Sequence, residues 1–216
     1  MQVKRKNNIN CMEYLKYIGT PIPKSRLIFK RILDIILGIL GVLISIPMII
    51  IFGILIKLTS EGPIFFKQKR VGYMGKEFYI VKLRSMRNNA ESTTGAIWAK
   101  KNDSRITPVG KFMRKTRIDE LPQFWNVLKG DMSLVGPRPE RPELTEKFYE
   151  KWNEFPKRLR IIPGITGYAQ INGGYDLSPD EKCKLDNYYI ENYSFIFDLK
   201  ILFQTIVIIF NGDGAR

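Results

Sequence analysis

The chain of 216 residues carries 35 lysines and arginines against 21 aspartates and glutamates, which gives a formal net charge of +14. Its length suits one packed domain with an anchor, and its charge predicts an anionic partner, whether nucleic acid, an acidic lipid surface or a phosphorylated substrate. With no histidine and only two cysteines, the chain lacks the groups for histidine-based acid–base catalysis, a zinc site or a disulfide framework, so any metal would have oxygen ligands, as magnesium and manganese do.

The N-terminal part of the chain combines a basic lead with a long apolar run. Residues 1–25 are predicted to be a cytosolic lead that faces anionic lipid, because lysine and arginine dominate its charges. The run from Ile32 to Ile56 follows, with 25 residues and one charge, Asp34. As one straight helix, this run is long enough to span a bilayer.

Two features of this segment favour a hairpin over a straight span. Pro47 lies near its middle, where it removes a helical hydrogen bond. Both flanks are basic, and basic flanks prefer the cytoplasmic side of a membrane. Residues 26–57 are therefore predicted to form a re-entrant helix–break–helix, with a straight transmembrane anchor as the alternative. A cleavable signal peptide is not expected, because the apolar run starts late and is too long.

The next segments carry strand, loop and helix signals. From Pro63 to Met86, aromatic and β-branched residues predict two strands of a small β-hairpin, with Gly72 and Gly75 in the turn. Residues 88–105 are polar and predict a loop. The pair Thr107–Pro108 is typical of a helix N-terminus.

Two helices are predicted near the C-terminus, at Lys182 to Asn192 and Phe195 to Phe210. The second is apolar nearly all round and too short to cross a bilayer, so it is either buried in the domain or lies in the membrane interface. Together the elements predict an α+β fold, mainly helical, in which residues 58–216 form a cytosolic domain with interfacial C-terminal helices.

The stretch from Arg114 to Glu140 carries the most informative chemical pattern. Helical spacing predicts a helix that starts near Asp119, ends at Gly130 and uses the apolar residues Leu121, Phe124, Trp125 and Leu128. Asp119 can simply cap this helix, as aspartate commonly does. It can also attack phosphorus and form an acyl phosphate, because a helix N-terminus keeps a carboxylate ionised and attracts a phosphate.

A carboxylate that approaches phosphate groups needs cations to offset their mutual repulsion. Glu120 is the candidate ligand of a magnesium ion. Arg114, Arg117 and Arg138 are candidate phosphate clamps, because a guanidinium offers two donors to phosphate oxygens. Arg138 lies between two prolines that stiffen its backbone, although a solvated arginine in a rigid turn has the same pattern. Lys82, on the second predicted strand, can face either substrate or solvent.

No nucleic-acid-binding signature and no P-loop accompany these residues, so nucleic acid is not expected as a partner. Taken together, the motifs resemble those of the bacterial sugar transferase family, the small monotopic phosphoglycosyl transferases. The resemblance runs from about Lys30 to Ile209 and rests on KRILDIILGILGVL, KLRSM, RIDELPQFWNVLKGDMSLVGPRPE, PGITGYAQING and FDLKIL. It implies a re-entrant membrane helix, a monotopic protein on the cytoplasmic face of the bacterial cell membrane, and a cytosolic catalytic domain over residues 58–216.

The resemblance also implies a reaction. A sugar 1-phosphate moves from a UDP-sugar to undecaprenyl phosphate by a ping-pong mechanism, through a phosphosugar-aspartyl intermediate and with release of UMP, as the first membrane step of capsule, exopolysaccharide or glycan synthesis. Magnesium is the implied cofactor and membrane lipid an implied partner. Asp119 is the implied nucleophile and Glu120 the implied metal ligand. The implied substrate-binding residues are Lys82, Arg114, Pro137, Arg138, Pro139 and Asp186.

Two positions depart from the family pattern. Family members often carry Ser-Pro at the helix break, where this chain has Ile46 and Pro47, and Asn-Gly-Arg where it has Asn172, Gly173 and Gly174. The first difference bears on the details of the break, and the second removes one candidate contact to sugar or phosphate. The identity of the sugar is therefore open, as is the oligomeric state, including a homo-oligomer.

Two further interpretations are open at this point. One is a noncatalytic, membrane-bound adaptor whose basic face holds acidic lipid or nucleic acid. The other keeps the enzyme but transfers the phosphosugar directly within a ternary complex, with Asp119 acting as a base.

Overall fold

The computed structural model describes residues 13–88, 90 and 103–211. Its helices are α1 (Ile28–Thr59), α2 (Pro108–Lys115), α3 (Gln123–Lys129), α4 (Pro142–Lys151), α5 (Tyr168–Ile171), α6 (Pro179–Glu191) and α7 (Phe195–Asn211). Its strands are β1 (Phe65–Val71), β2 (Glu77–Leu83), β3 (Ser133–Val135) and β4 (Gly164–Thr166). Short 3-10 turns include Glu13–Tyr17, Lys24–Leu27, Tyr73–Gly75, Ile118–Glu120, Phe155–Arg160 and Gly174–Asp176. The predicted fold, mainly helical with a small hairpin, is confirmed.

Parts of two predicted segments lie outside the described residues. These parts are residues 1–12 of the basic lead and most of the loop predicted at residues 88–105.

The long apolar segment forms the single helix α1 of 32 residues. Among the described residues, the segment Lys24–Thr59 is the one helical stretch long and apolar enough to cross a membrane. The helix continues through Pro47, so no interruption separates the two halves that the sequence predicts for residues 26–57. A proline inside a helix removes one hydrogen bond and can leave the helix continuous on both sides.

Both ends of α1 pack against the same domain. Near its start, Arg31 donates hydrogen bonds of 2.7 Å to the carbonyl oxygens of Val127 and Leu128, at the C-terminus of α3. Near its end, Ile56 is fully buried in a cluster with Leu83 of β2 and Met113 of α2. These contacts hold α1 along one side of the domain and leave most of its apolar side chains exposed.

Glycines make the close packing of α1 against α3 possible. A β-carbon at Gly38 would lie 2.8 Å from a side-chain carbon of Leu128, and one at Gly41 would overlap the ring of Phe124. The predicted apolar residues Phe124 and Leu128 therefore face α1, whereas Trp125 is exposed.

A buried polar cluster joins α1 to the C-terminal helices. Lys30 donates from Nζ to the carbonyl oxygen of Val135, at 2.5 Å, and forms an ion pair of 3.0 Å with Asp198 of α7. The hydroxyl of Tyr189 donates to the other oxygen of Asp198 at 2.6 Å. Asp34 accepts hydrogen bonds from the Ser133 hydroxyl and the backbone N–H of residue 134, at 3.0 and 2.8 Å.

The predicted hairpin and its turn are confirmed. Strands β1 and β2 pair antiparallel, with Phe65 opposite Leu83 and Val71 opposite Glu77. Gly75 has a φ of +80° in the turn, a conformation that glycine adopts without a steric penalty. A second pair, β3 and β4, is parallel and only three residues long per strand, which is too short for the sequence pattern to reveal.

Several helix boundaries agree with the sequence. The Thr107 hydroxyl accepts from the N–H of Gly110 at 2.9 Å, so the predicted cap of α2 is confirmed. Gly130 ends α3 with a φ of +86°. Helix α6 begins at Pro179, before the predicted Lys182, because Ser178 and Glu181 form a capping box.

Helix α7 has a buried side and an exposed apolar side. Asp198 and Ile201 are buried, whereas Ile196, Phe203 and Ile206 are more than half exposed. An amphipathic helix with a large exposed apolar face suits the surface of a membrane. The interfacial position of α7 stays a prediction.

Candidate active site

Asp119 lies just before helix α3 rather than at its cap. It lies in the 3-10 turn Ile118–Glu120, and helix α3 begins only at Gln123. The position predicted at or near the N-cap is therefore near the start of the helix but not at its cap. Arg117 precedes the turn in the left-handed conformation, with a φ of +57°, and Pro122 occupies the cap position. Since proline starts a helix readily and Arg117 turns the chain just before, the two bring Asp119 into a separate turn.

This turn lies on the wall of a large basic cavity. The cavity has a volume of about 510 Å³ and lies beside the end of the hairpin. Its described lining contains eleven arginine and lysine side chains and three acidic ones. The residues predicted for the site that line it are Lys82, Arg114, Arg117, Asp119, Arg138, Pro139 and Asp186. A cavity with this charge fits an anionic ligand.

Glu120 is not among the residues that line the cavity, but it is held by two cations that are. Lys82 of β2 donates to its Oε1 at 2.6 Å, and Nη2 of Arg138 donates to the same oxygen. Its Oε2 has a longer contact of 3.5 Å with Nη1 of Arg138. Although burial opposes ionisation, the charges of Arg138 and Lys82 hold the pKa of Glu120 well below its ordinary value. Lys82 thus faces the site, one of the two orientations that its strand position allows.

Asp119 has the opposite electrostatic character. Its side chain is buried, with 6% of the residue exposed. Burial raises the pKa of Asp119 to about 6, and the negative charge of Glu120 adds to this, against the opposing charges of Lys82, Arg114 and Arg138. Perturbed carboxyl groups in a cavity are typical of functional sites.

Arg138 is fixed from several sides. Its Nη1 lies 3.4 Å from the carbonyl oxygen of Ile165, and its own carbonyl oxygen accepts from Arg158 Nη2 at 2.9 Å. Pro139 shares the main cavity with it, whereas Pro137 borders a second, much smaller cavity behind the motif. The Pro-Arg-Pro motif is therefore a stiff support that directs one guanidinium toward Glu120.

Two arginines that sequence reasoning missed build this support. Arg158 binds Asp186 through Nε at 3.0 Å and Nη2 at 2.6 Å, and both residues are buried. Arg70 donates to the carbonyl oxygen of Pro139 at 2.9 Å. From the sequence alone, the basic cluster at residues 67–70 is more typical of a solvated edge. In both cases the partner is distant in sequence, and only the alternation along β1 hints that Arg70 turns inward.

The two neighbouring carboxylates fit a magnesium ion only in part. Among the described residues, no group of three or more histidine, cysteine or acidic side chains is placed to hold a metal. Magnesium in phosphoryl-transfer sites commonly takes one or two carboxylates and completes its shell with substrate phosphates and water. Oε2 of Glu120, whose partner is at 3.5 Å, supplies one such carboxylate.

The departure at Asn172 to Gly174 also lies at this cavity. Gly174 lines it, and a β-carbon there would meet no atom of the described residues within 4 Å. Its φ is +54°, which favours glycine. The cavity is therefore open at the position where family members often carry an arginine.

Comparison with known proteins places these motifs in a family. The family model of the bacterial sugar transferases matches residues 25–212. The UDP-N-acetylgalactosamine-undecaprenyl-phosphate N-acetylgalactosaminephosphotransferase of Aeromonas hydrophila is 44% identical over 203 residues, which are 92% of this chain and 48% of that protein. The galactosyl transferase CpsE of Streptococcus agalactiae serotype III is 45% identical over an alignment of 217 residues, gaps included, that covers 95% of this chain and 46% of that protein.

A shorter relative matches over nearly its whole length. The uncharacterized sugar transferase EpsL of Bacillus subtilis is 41% identical over 191 residues, 88% of this chain and 91% of that protein. The chain thus spans about half the length of the Aeromonas and Streptococcus relatives and most of the Bacillus one. Because the family model covers most of the sequence, this chain belongs to the bacterial sugar transferase family.

Proposed function

We propose that this chain is a phosphoglycosyl transferase that moves a sugar 1-phosphate from a UDP-sugar to undecaprenyl phosphate, at the first membrane step of capsule, exopolysaccharide or glycan synthesis. The observation that carries the proposal is the position of Asp119, a buried carboxylate beside Lys82, Arg114 and Arg138 on the wall of a basic cavity. The name of the Aeromonas relative contains both substrates of this reaction, which supports the assignment.

The first half-reaction makes a covalent intermediate. A carboxylate oxygen of Asp119 attacks the phosphorus that carries the sugar, a P–O bond forms, and the bond from that phosphorus to the bridging oxygen of the diphosphate breaks. UMP leaves with the bonding electron pair. Arg138 and Arg114 can stabilise the negative charge that develops on the phosphate oxygens. Electrostatic stabilisation of this kind is usually the largest contribution to catalysis of phosphoryl transfer.

The second half-reaction restores the enzyme. An oxygen of undecaprenyl phosphate attacks the same phosphorus, and the bond to Asp119 breaks, so the carboxylate is regenerated. Splitting the transfer into two displacements is the general benefit of an enzymic nucleophile. The ion pairs of Glu120 with Lys82 and Arg138 keep that second carboxylate ionised while Asp119 reacts.

Magnesium belongs to the proposal as cofactor. Held by Glu120, the ion would supply positive charge to the diphosphate and reduce the repulsion between phosphate and the Asp119 carboxylate. Release of UMP that is unaffected by a chelator would count against it.

The position of α1 supports a monotopic protein on the cytoplasmic face. Arg31, near the start of the helix, and Ile56, near its end, contact the same domain. A domain that stays in the cytoplasm then keeps both ends of the apolar helix on one side of the membrane. We therefore propose that α1 is re-entrant, as a continuous helix that bends at Pro47, and that lipid covers its exposed apolar side chains.

The test of the activity uses purified protein in detergent with magnesium, undecaprenyl phosphate and a panel of UDP-sugars. We expect UMP release with at least one sugar, because the donor phosphates have a basic cavity and a nucleophile. Asp119→Asn removes the nucleophile and should lower the rate by at least a factor of about 10³, the scale of losing a residue essential to chemistry. UMP release that persists in Asp119→Asn would exclude Asp119 as the nucleophile.

A second measurement separates the proposal from its two alternatives. Wild-type protein incubated with donor alone should gain the mass of one sugar phosphate, on the tryptic peptide that contains Asp119. UMP release that strictly requires undecaprenyl phosphate, without such an adduct, would favour direct transfer. Binding of acidic lipid without any UMP release would favour a noncatalytic adaptor.

A further inference from the structure

The lining of the basic cavity has a small apolar part at the start of strand β1. Pro63, Phe65 and Phe66 contribute to it. Phe65 is 42% exposed and Phe66 is 41% exposed, although large aromatic side chains gain free energy when they leave water. Ligand sites commonly combine apolar walls with a few charged groups that fix the orientation of the ligand. The two exposed rings therefore offer a contact to the apolar part of a ligand whose charged part the cations bind.

Phe66 lies on the same face of the hairpin as the lysine that binds Glu120. In the antiparallel register Phe66 is opposite Lys82, and side chains directly opposite each other share one face, with β-carbons about 4.5–5.5 Å apart. Nζ of Lys82 donates to Glu120, the neighbour of Asp119 in the chain. The ring of Phe66 is thus one cross-strand neighbour away from the pair of carboxylates.

Phe65 lies on the other face of the hairpin, which packs against α1. Its partner across the hairpin is Leu83, and Leu83 is buried with Ile56 of α1. Consecutive residues of a strand point to opposite faces, so Phe65 lies on the α1 side and Phe66 on the side of Lys82. Because both line the cavity, its apolar part extends between these two sides.

The segment between α1 and β1 is fixed to the cavity lining. A β-carbon at Gly53 would lie 3.3 Å from a side-chain carbon of Ile64, so Ile64 packs on α1 near its C-terminal end. Arg84, which lines the cavity, donates to the carbonyl oxygens of Ser60 and Glu61 at 2.8 and 2.6 Å. Its backbone N–H donates to the carbonyl oxygen of Ile64 at 2.8 Å. The C-terminal end of α1 is thereby held beside the apolar part of the cavity.

The exposed apolar surface of α1 extends to this end of the helix. Ile54 is 56% exposed, and Leu58, in the last turn, is 78% exposed. Lipid covers these side chains if the proposed position of α1 is right. An amphiphile that leaves the bilayer here keeps its hydrocarbon chain against apolar side chains while its head group enters the basic cavity.

We propose that Phe65 and Phe66 bind the first isoprene units of the acceptor and thereby position its phosphate near Asp119. The inference rests on the proposed function, in which the acceptor is a polyprenyl phosphate. Such an acceptor combines an anionic head group, which fits the lysines and arginines, with an apolar chain, which fits the phenylalanines. The UDP-sugar has no comparable chain, and its uracil is the part that can stack on a phenylalanine. Phe65 and Phe66 are specificity-determining residues for the acceptor, separate from the groups that act on phosphorus.

The test compares the two half-reactions in variants of Phe66. In a ping-pong reaction, kcat/KM for each substrate reports its own half-reaction, so donor and acceptor are examined separately. Steady-state UMP release in detergent gives both values, with undecaprenyl phosphate and the UDP-sugar varied in turn. We expect Phe66→Ala to lower kcat/KM for undecaprenyl phosphate about tenfold, the scale of one buried aromatic side chain. The effect on kcat/KM for the UDP-sugar should be much smaller.

Three further variants make the comparison specific. Phe66→Leu should retain most of the kcat/KM for undecaprenyl phosphate, because contact with an isoprenoid needs an apolar side chain and not a ring. The double variant Phe65→Ala with Phe66→Ala should lose more than Phe66→Ala alone. Phe203→Ala, the same substitution at a 69% exposed position of α7 outside the described cavity lining, is the control and should behave as wild type. The value for the UDP-sugar also shows that each variant is folded.

The possible results separate the acceptor site from its alternatives. If Phe66→Ala lowers kcat/KM mainly for the UDP-sugar and Phe66→Leu does not restore it, the ring stacks on uracil and the acceptor site is wrong. Equal effects on both substrates, no effect on either, or the same effect in Phe203→Ala would also overturn it. Wild-type protein that releases no UMP with any UDP-sugar would overturn the proposed function, and the acceptor site with it.

Discussion

Asp119 and Glu120 are neighbours in sequence and carry the same functional group, yet their environments separate them. Lys82 and Arg138 both bind Glu120 directly, so its charge is compensated. Asp119 feels the same cations only at longer range, and burial raises its pKa to about 6. A paired carboxylate is a poor nucleophile, whereas a desolvated one is reactive when ionised. This difference supports the roles proposed for the two residues.

The raised pKa of Asp119 predicts a stability cost that depends on pH. A carboxyl group whose pKa is raised on folding, here from 3.8 to about 6, stabilises the folded state fully below pH 3.8, and this contribution is lost as the pH rises through 6. At pH 7 the ionised Asp119 therefore costs about 3 kcal/mol. We expect Asp119→Asn, which stays neutral, to be more stable than wild type at pH 7 and about equally stable near pH 4.

Thermal unfolding in detergent at pH 4, 5, 6 and 7 checks this prediction. Asp131→Asn, the same substitution outside the cavity, controls for the loss of one negative charge. A stability difference between Asp119→Asn and wild type that stays constant from pH 4 to pH 7 would contradict a raised pKa at Asp119.

Local sequence patterns identify the charged residues of the motifs, but not the residues elsewhere in the chain that fix their positions. Arg138 stands out because two prolines flank it. Arg158 does not, since its neighbours Lys157 and Arg160 give the same basic pattern and its partner Asp186 is 28 positions away. Side chains that act through tertiary contacts are visible only in the folded chain.

Among the helices and strands, the sequence predicts a boundary best where a particular residue type starts or ends the element. A threonine before a proline starts α2, and a glycine in the left-handed conformation ends α3. The predicted start of α3 is wrong: the helical spacing of apolar residues extends back to Leu121, but Pro122 occupies the cap position and the helix begins after it. The parallel pair of β3 and β4 is missed because each strand has three residues, fewer than a period-two pattern needs.

Lys30 illustrates how tertiary contacts change the meaning of a charge. By sequence it is one of the basic residues that flank the apolar run, but it is 3% exposed and paired with Asp198. Lys30→Met would leave the Asp198 carboxylate buried beside Tyr189 without its cation. We expect a loss of about 3–5 kcal/mol of unfolding free energy, the cost of breaking a buried ion pair from one side.

Lys57→Met is the matched control, since Lys57 is an exposed lysine of the same helix. Unfolding in detergent at increasing denaturant concentration gives the comparison. The double variant Lys30→Met with Asp198→Asn should recover part of the loss, because no charge is then left uncompensated. Equal stability of Lys30→Met and Lys57→Met would show that the buried pair has no net role in holding α1 to α7.

At the scale of the whole molecule, polarity is divided between two surfaces. The basic cavity collects arginine and lysine side chains from the hairpin, α2 and the Pro-Arg-Pro segment. Many apolar side chains of α1 and α7 are exposed. The rings of Phe29 and Phe195 are in contact and join the two helices. A soluble monomer rarely exposes so many neighbouring apolar side chains, which supports the proposal that lipid covers them.

The contacts of α1 with one domain predict which side of the membrane each flank occupies. In a Cys11→Ser background, single cysteines at Val3 and Ala90 mark the chain before and after the helix, and the remaining thiol, Cys183, is buried. We expect a membrane-impermeant maleimide to label both positions in inside-out vesicles and neither in intact spheroplasts, because both ends of α1 are bound to the same domain. Labelling after permeabilisation gives the total accessible thiol as the control. If positions 3 and 90 react from opposite sides, α1 is a straight span, and the contacts of its two ends cannot both persist in the membrane.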